Sequence, residues 1–343
     1  AYVNLGHVNK QRNRVYEATR AYEWALNIAP EVPGALSGMG LLLSEAAEFE
    51  AANNCFDRAL RVDPQNADIL YNQAHLKLLM GDYSAGWPLY ESRWRGKQAQ
   101  RNQISIPPEG VPLWLGLSAL QGKRILIWPE QGLGDSLQFC RFIPYLISAG
   151  AQVLMEVHPS LCRLMSDSFP NIEVIALGGH RGRLDYHCPI MSLALAFSTT
   201  LETIPSPGSY LLTRKKCRSQ FDEIFQSRPN PRVGLVWSGG SRSNVPEDLA
   251  INARRNIPLH LLSIIDVPGL TFVSLQKGEA ALAELRALQR SGWDGPKMID
   301  IAEQLSDFAD TATLLESLDL VISVDTSVVH LAGALGKPVW LLN

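Results

Sequence analysis

Small and aromatic residues recur along the N-terminal part of the chain at a spacing of 34. Gly6, Gly40 and Ala74 form one series, Ala18, Ala52 and Gly86 a second, and Tyr22, Phe56 and Tyr90 a third. Ala25 and Ala59 repeat it with Leu26 and Leu60 behind them, and Pro30 and Pro64 close each unit where a helix must end. This pattern predicts stacked antiparallel helix pairs: small residues let two backbones approach, and the aromatic packs against the next pair. Three units cover residues 1–97. The third departs from the pattern with Trp87, Pro88 and Trp94, so its second helix is expected to act as a junction to the following domain.

After a connector at 98–121, rich in proline between Ile106 and Pro112, the pattern changes to short apolar runs alternating with helical stretches. Residues 123–128 read as a buried strand and 129–134 as a loop opening a helix to about Ser148. Gly150 ends that helix, and a second strand at 152–157 gives the spacing of a parallel βαβ unit. Residues 172–175 and 184–188 add two short strands. A helix at 217–226 and a polar linker then lead to a second start at 231–237. Beyond it the prediction is helix 259–265, strand 271–275, helix 279–289, strand 298–301, helix 308–315 and strand 318–324. The predicted fold class is therefore α-helical repeats followed by two doubly wound α/β domains, 122–228 and 229–343, with a cleft between them.

Composition narrows the function classes. Of 343 residues 46% are hydrophobic and 19% charged, and the formal net charge is -3, as expected of packed domains. Lys and Arg are scattered, so nucleic acid is set aside as a partner. The longest apolar candidate, 318–324, is strand-sized and stops at Asp325, so no membrane span is expected. Cys55, Cys140, Cys162, Cys188 and Cys217 are isolated, odd in number and without a CxxC pair, which suits reduced thiols in a cytoplasmic compartment and no zinc site. Both ends, at Ala1 and just after the strand-like 339–342, look cut, and further helices are expected beyond the second.

Two loops carry candidate chemistry. Glu130, Gln131, Gly132, Gly134 and Asp135 follow the first strand, where open α/β sheets bind ligands and glycines admit a close approach. Leu137 stands where a dinucleotide fingerprint needs a third glycine, so a nicotinamide oxidoreductase using Gly132, Gly134 and Glu156 is the weaker reading. Asp135 is either a helix cap or a general base that takes a proton from an acceptor hydroxyl. In the second loop Asp325, Thr326 and Ser327 end a strand and start a helix that stops at Gly336. Its free N–H groups suit a diphosphate, Thr326 and Ser327 add hydroxyls, Asp325 suits a sugar hydroxyl, and His330 lies on the first turn. Ser238 and Gly239, in the loop running to Asn244, occupy the matching position after the strand at 231–237. Arg254 and Arg255 are candidates to neutralise a leaving diphosphate, or a plain surface pair. Gln276 and Lys277, after a strand, are candidate nucleobase or phosphate contacts.

The segments 130–135, 185–189, 252–258 and 325–338, with the junction motif from Gly86 to Trp94, resemble bacterial TPR proteins carrying a heptosyltransferase-like GT-B glycosyltransferase domain. That resemblance spans nearly the whole chain. It implies metal-independent, inverting transfer of a sugar from a nucleotide-sugar donor, with no cofactor, the donor held mainly by the C-terminal half and the acceptor by the N-terminal half. Asp135 matches the family's base, and Asp325, Thr326 and His330 match its donor-site motif, whereas Ser327 stands where glycine is usual. By analogy with protein O-GlcNAc transferases the acceptor is a protein or a glycan, and the repeat groove is a place for a protein or peptide partner. The alternative reading is a TPR adaptor whose transferase domain is degenerate.

Overall fold

The structure, a computed structural model, describes residues 1–96, 106–213, 219–226, 231–240, 252 and 254–342. The described residues form two compact units. The first is built from the chain up to Gly96 together with Leu115–Leu117 and Ser192–Ile204, and the second from the remainder.

In the first unit three helix pairs follow in order: α1 (Tyr2–Gln11) with α2 (Val15–Ile28), α3 (Pro33–Glu45) with α4 (Phe49–Val62), and α5 (Ala67–Leu79) with α6 (Tyr83–Tyr90). Side chains start the last pair, with Asn66 accepting from the Ile69 N–H and Asp82 from the Ala85 N–H. The 34-residue series has its physical reason here. A Cβ on Gly6 would stand 2.3 Å from the fully buried ring of Tyr22, and one on Gly40 would stand 2.9 Å from the fully buried ring of Phe56. Gly38, outside the series, also approaches Tyr22, so that a Cβ there would stand 2.3 Å from it. Gly38→Ala is therefore expected to lower stability by about 1–3 kcal/mol through overpacking, read as a lower denaturant midpoint at unchanged m-value.

Pro88 lies inside α6, which runs on to Tyr90 and then passes into a 3-10 turn, Glu91–Trp94. The turn docks on the returning segment 192–204, which carries α10 (Leu193–Ala196). Buried Arg93 donates to Glu91 Oε1 at 2.6 Å and to Ser192 Oγ at 2.7 Å, and stacks over the rings of Tyr90 and Trp94. The junction motif thus packs on a segment that comes back from the α/β region.

The second unit holds two all-parallel sheets. One has the order β3-β2-β1-β4, from β1 (Arg124–Trp128), β2 (Gln152–Val157), β3 (Glu173–Ala176) and β4 (Tyr186–Pro189). The other has the order β7-β6-β5-β8-β9, from β5 (Arg232–Val236), β6 (Thr271–Ser274), β7 (Met298–Asp300), β8 (Leu320–Val324) and β9 (Val339–Leu342). Both central strands are buried apolar runs, as strands covered on two faces must be. The two sheets are braced alike: Asp185 Oδ2 accepts the Arg124 N–H at 2.9 Å, and Asp319 Oδ2 accepts the Arg232 N–H at 2.8 Å.

Between strands run α7 (Leu133–Phe139), α8 (Ile143–Ser148), α9 (Cys162–Ser168), α11 (Ser219–Phe225), α12 (Glu279–Arg290), α13 (Phe308–Glu316) and α14 (Ser327–Ala334). The single helix expected from Gly134 to Ser148 is instead split by a 3-10 turn at Cys140–Phe142, because Pro144 has no N–H to return to the carbonyl of Cys140. The segment 259–265 is a 3-10 helix. The connector is more than a spacer, since the Trp114 N–H donates to His187 O and the His187 N–H to Pro112 O along the β4 edge. No helix among the described residues is long and apolar enough to cross a membrane.

Candidate active site

In each sheet the chain reverses its order of winding beside the central strand, between β1 and β4 and between β5 and β8. The crevice at the carboxyl ends of such strands is where open α/β sheets take ligands, and the loops picked out from the sequence leave the sheets there.

The loop after β1 is held from below. Trp128 Nε1 donates to His187 Nδ1 at 3.1 Å, and burial, then the Arg181 charge, lowers the His187 pKa and favours the neutral ring. Glu130 is buried and its Oε1 accepts the Met191 N–H at 3.2 Å, which fixes the start of the loop. Gly132 is the N-cap of α7. Asp135, at the third helical position, reaches back so that Oδ2 accepts the Gly132 N–H at 2.7 Å. Asp135 thus does cap-type work, though from within the helix. Burial pushes its carboxyl above the ordinary range, against the pull of the Gly132 N–H and of the neighbouring His330, with Asp325 adding to the upward push. Gln131 is half-buried beside them.

The loop after β8 brings Asp325, which is exposed, and Thr326, the N-cap of α14. No side chain caps this helix, since the Thr326 hydroxyl lies 3.2 Å from Ser323 Oγ instead. The first turn, beginning at Ser327, so keeps an electropositive amide end. His330 Nε2 is 3.9 Å from Asp325 Oδ1. Lys337, in the same motif, donates to the carbonyls of Glu316 and Leu318 and so closes the end of α13.

The loop after β5 is held by Gln276, which is buried. Its Oε1 accepts the N–H groups of Trp237 and Ser238 at 3.2 and 3.0 Å, and its Nε2 donates to the carbonyls of Ser238 and Lys277 at 2.8 and 2.9 Å. Named from the sequence as a candidate nucleobase contact, Gln276 is a positioning staple whose amide is occupied internally. Gln276→Leu is expected to cost at least about 2 kcal/mol, since it leaves buried backbone groups without partners, a loss that chemical denaturation would read. Lys277 is exposed and its Nζ donates to the carbonyl of Leu305. The Gly239 N–H donates to Asn256 Oδ1 at 2.8 Å, and the Arg255 guanidinium covers Gly239 so closely that a Cβ there would fall 2.1 Å from Nη2. Asn252 Oδ1 accepts from Arg255 Nη2. Arg254 is exposed. The rest of that loop, 241–250, lies outside the described residues.

The first two loops meet. Helices α7 and α14 pack against each other, and a Cβ on Gly134 would stand 2.6 Å from His330 Cδ2 and 3.2 Å from Nε2. Gly134 is therefore the residue over which the imidazole of the other half rests. Glu156, the acid of the nicotinamide reading, is fully buried and accepts from Gly178 N and from Arg181 Nε and Nη2. Its oxygens are engaged within the protein and not presented to a ribose. Among the described residues no three His, Cys, Asp or Glu side chains cluster as metal ligands would.

Sequence reasoning passed over two contacts that set this geometry. Arg141, just beyond α7, donates to the Pro205 carbonyl and the Tyr210 hydroxyl, while the Tyr210 and Leu211 N–H groups donate to Ala334 O at the end of α14. Arg163 of α9 bridges Asp307 and Asp310 of α13. The partners lie far apart in sequence, and no local pattern signals them.

Residues 273–341 match the model of glycosyltransferase family 9 (heptosyltransferase), and residues 55–86 match a tetratricopeptide repeat. The family 9 match lies within the second sheet, from β6 to β9, and the repeat match within the second and third helix pairs. Protein FlbA of Caulobacter vibrioides is 28% identical over 99% of this chain, which spans 65% of FlbA's length. Among solved structures, a family 9 glycosyl transferase from Veillonella parvula aligns at TM-score 0.49 and 13% identity over 65% of this chain and 82% of that one. The E. coli ADP-heptose LPS heptosyltransferase II aligns at TM-score 0.46 and 16% identity over 64% and 84%.

Proposed function

We propose that this chain carries the active centre of an inverting glycosyltransferase that works without a metal and moves a sugar from a nucleotide-sugar donor to a hydroxyl of a protein or glycan. The observation that supports this most is the approach of Gly134 to His330, which sets the Asp135 loop of one sheet against the uncapped start of α14 from the other. The acceptor oxygen attacks the anomeric carbon from the Asp135 side, and its proton passes to the Asp135 carboxylate. The bond from the anomeric carbon to the phosphate oxygen breaks, and the nucleoside diphosphate leaves with the electron pair. Its developing charge is met by the α14 amides, Thr326, Ser327 and Arg255, with His330 at hand for the sugar or phosphate. The raised pKa of Asp135 makes its carboxylate a stronger base than a free one, as suits a group that takes a proton from an acceptor hydroxyl.

The competing reading, an adaptor with a degenerate transferase domain, has one observation in its favour: Asp135 already serves α7 through the Gly132 N–H. Calorimetry of the full-length protein against a panel of nucleotide sugars separates the two. Binding of one donor, with release of the free nucleoside diphosphate when acceptor is added, supports the enzyme. No affinity for any of them leaves the adaptor. The same donor is expected to raise the melting temperature by mass action.

A further inference from the structure

The two halves of the second unit are tied by contacts of two kinds. One kind runs through the connecting segment: Arg141 grips Pro205 and Tyr210, Tyr210 and Leu211 hold the Ala334 carbonyl, and Ser168 at the end of α9 bonds the backbone of Leu212. The other bypasses that segment. From α9, Arg163 Nε and Nη2 donate to the two carboxylate oxygens of Asp307 at 2.8 and 2.5 Å, and Nη2 also donates to Asp310 Oδ1 at 2.5 Å. Asp307 is the N-cap of α13, already accepting the Ala309 and Asp310 N–H groups, and Asp310 accepts the Ser306 N–H. A single guanidinium thus holds the start of a helix whose far end turns directly into β8, the strand that delivers Asp325 and α14. Burial would raise the Asp307 carboxyl, but Arg163 and the amides outweigh it and hold it below the ordinary range, so the tie is charged on both sides at neutral pH.

We propose that Arg163 is a positioning residue: by fixing α13 to α9 it sets the register in which α14 meets α7, and so where His330 stands over Gly134 and Asp135. The functional part of this statement rests on the glycosyltransferase reading, whereas the structural part does not. A planar fork bridging two carboxylates fixes orientation as well as distance, which a lysine cannot do. The arrangement acts at a distance, since Arg163 touches neither of the loops that meet.

The test uses the full-length protein with Arg163→Ala, Arg163→Lys and Arg163→Ala combined with Asp310→Asn, the last so that no buried carboxylate is left without its counter-charge. Hydrogen exchange is followed at 133–139 and 327–334, with β1 and β5 as internal references. Loss of the fork is expected to speed exchange at both helices about tenfold while the reference strands keep their protection. The turnover number for transfer falls about tenfold or more, with donor KM held within about twofold, and Arg163→Lys lies between. Unchanged exchange at both helices in all three variants overturns the proposal, as does a uniform rise that includes β1 and β5, which marks a merely structural ion pair. Faster exchange at the two helices in the variants, combined with a wild-type protein that shows no transfer, keeps the positioning role and removes the enzymatic reading.

Discussion

Replacing Asp135 by Asn is expected to lower transfer by about 10²–10⁴-fold, the usual worth of a general base, and to leave the protein as stable as before or more so. The two effects have one cause. Asn keeps an oxygen to accept the Gly132 N–H, so the start of α7 survives. The cost of holding a carboxylate in a site that disfavours its charge disappears. The sign follows from the direction of the shift. With a folded-state pKa raised above the unfolded one, Asp135 favours folding while protonated, and that contribution is lost as pH rises through the raised pKa. Once ionised the group therefore weighs against the fold, and the gain from Asp135→Asn should grow as pH rises from the unfolded-state pKa through the raised one and then level off. Thermal unfolding across that range measures it. Turnover of the wild type should fall on acidification with a limb above the ordinary aspartate range, and Asp135→Asn should lack that limb. A variant that is destabilised at neutral pH and still transfers sugar would identify Asp135 as a cap and nothing more.

Much of this fold was legible in the sequence because its signals are local. Tyr22 and Phe56 repeat at the distance of one helix pair, and the small residues opposite them are those that a ring would strike if they carried more atoms. The central strands could be read because burial on both faces leaves continuous apolar runs, and the loops after β1, β5 and β8 because glycines and capping residues gather there. What the sequence hid is non-local. The pairing of 112–114 with β4 depends on a strand more than seventy positions away, and nothing in either segment announces it. The brace by Asp185 and its counterpart Asp319 becomes meaningful only when the two sheets are compared.

The candidate site was legible as a set of residues but not as a division of labour. A polar side chain after a strand invites assignment as a ligand contact, yet Gln276 has both amide donors and its acceptor directed to backbone groups of its own half. Glu130 likewise holds Met191 in place, and Lys337 closes α13. Such residues form the frame of the site. On the proposed reading the groups that meet a ligand are Asp135, the start of α14 with Thr326 and Ser327, Asp325, His330 and Arg255, and most of these sit on just two helices, α7 and α14, that pack on each other.

The position where those helices touch gives the second large expected effect. Gly134→Ala places a methyl group 2.6 Å from His330 Cδ2, closer than any carbon pair tolerates, so the imidazole or the α7 start must yield. His330 is partly exposed and has room to turn out, which would move it off the reacting centre by the ångström or so that costs about 100-fold in rate. The backbone has no objection of its own, since Gly134 does not adopt the left-handed conformation and alanine is favoured over glycine within a helix by up to about 1 kcal/mol. Stability should change little, and the loss should appear in the turnover number. A double-mutant cycle makes the cause visible. In a His330→Ala background there is no ring to displace, so adding Gly134→Ala should cost almost nothing further. Additive losses in the cycle would mean that the glycine matters for the loop itself, or for direct approach of a ligand, and not for the meeting of the two halves.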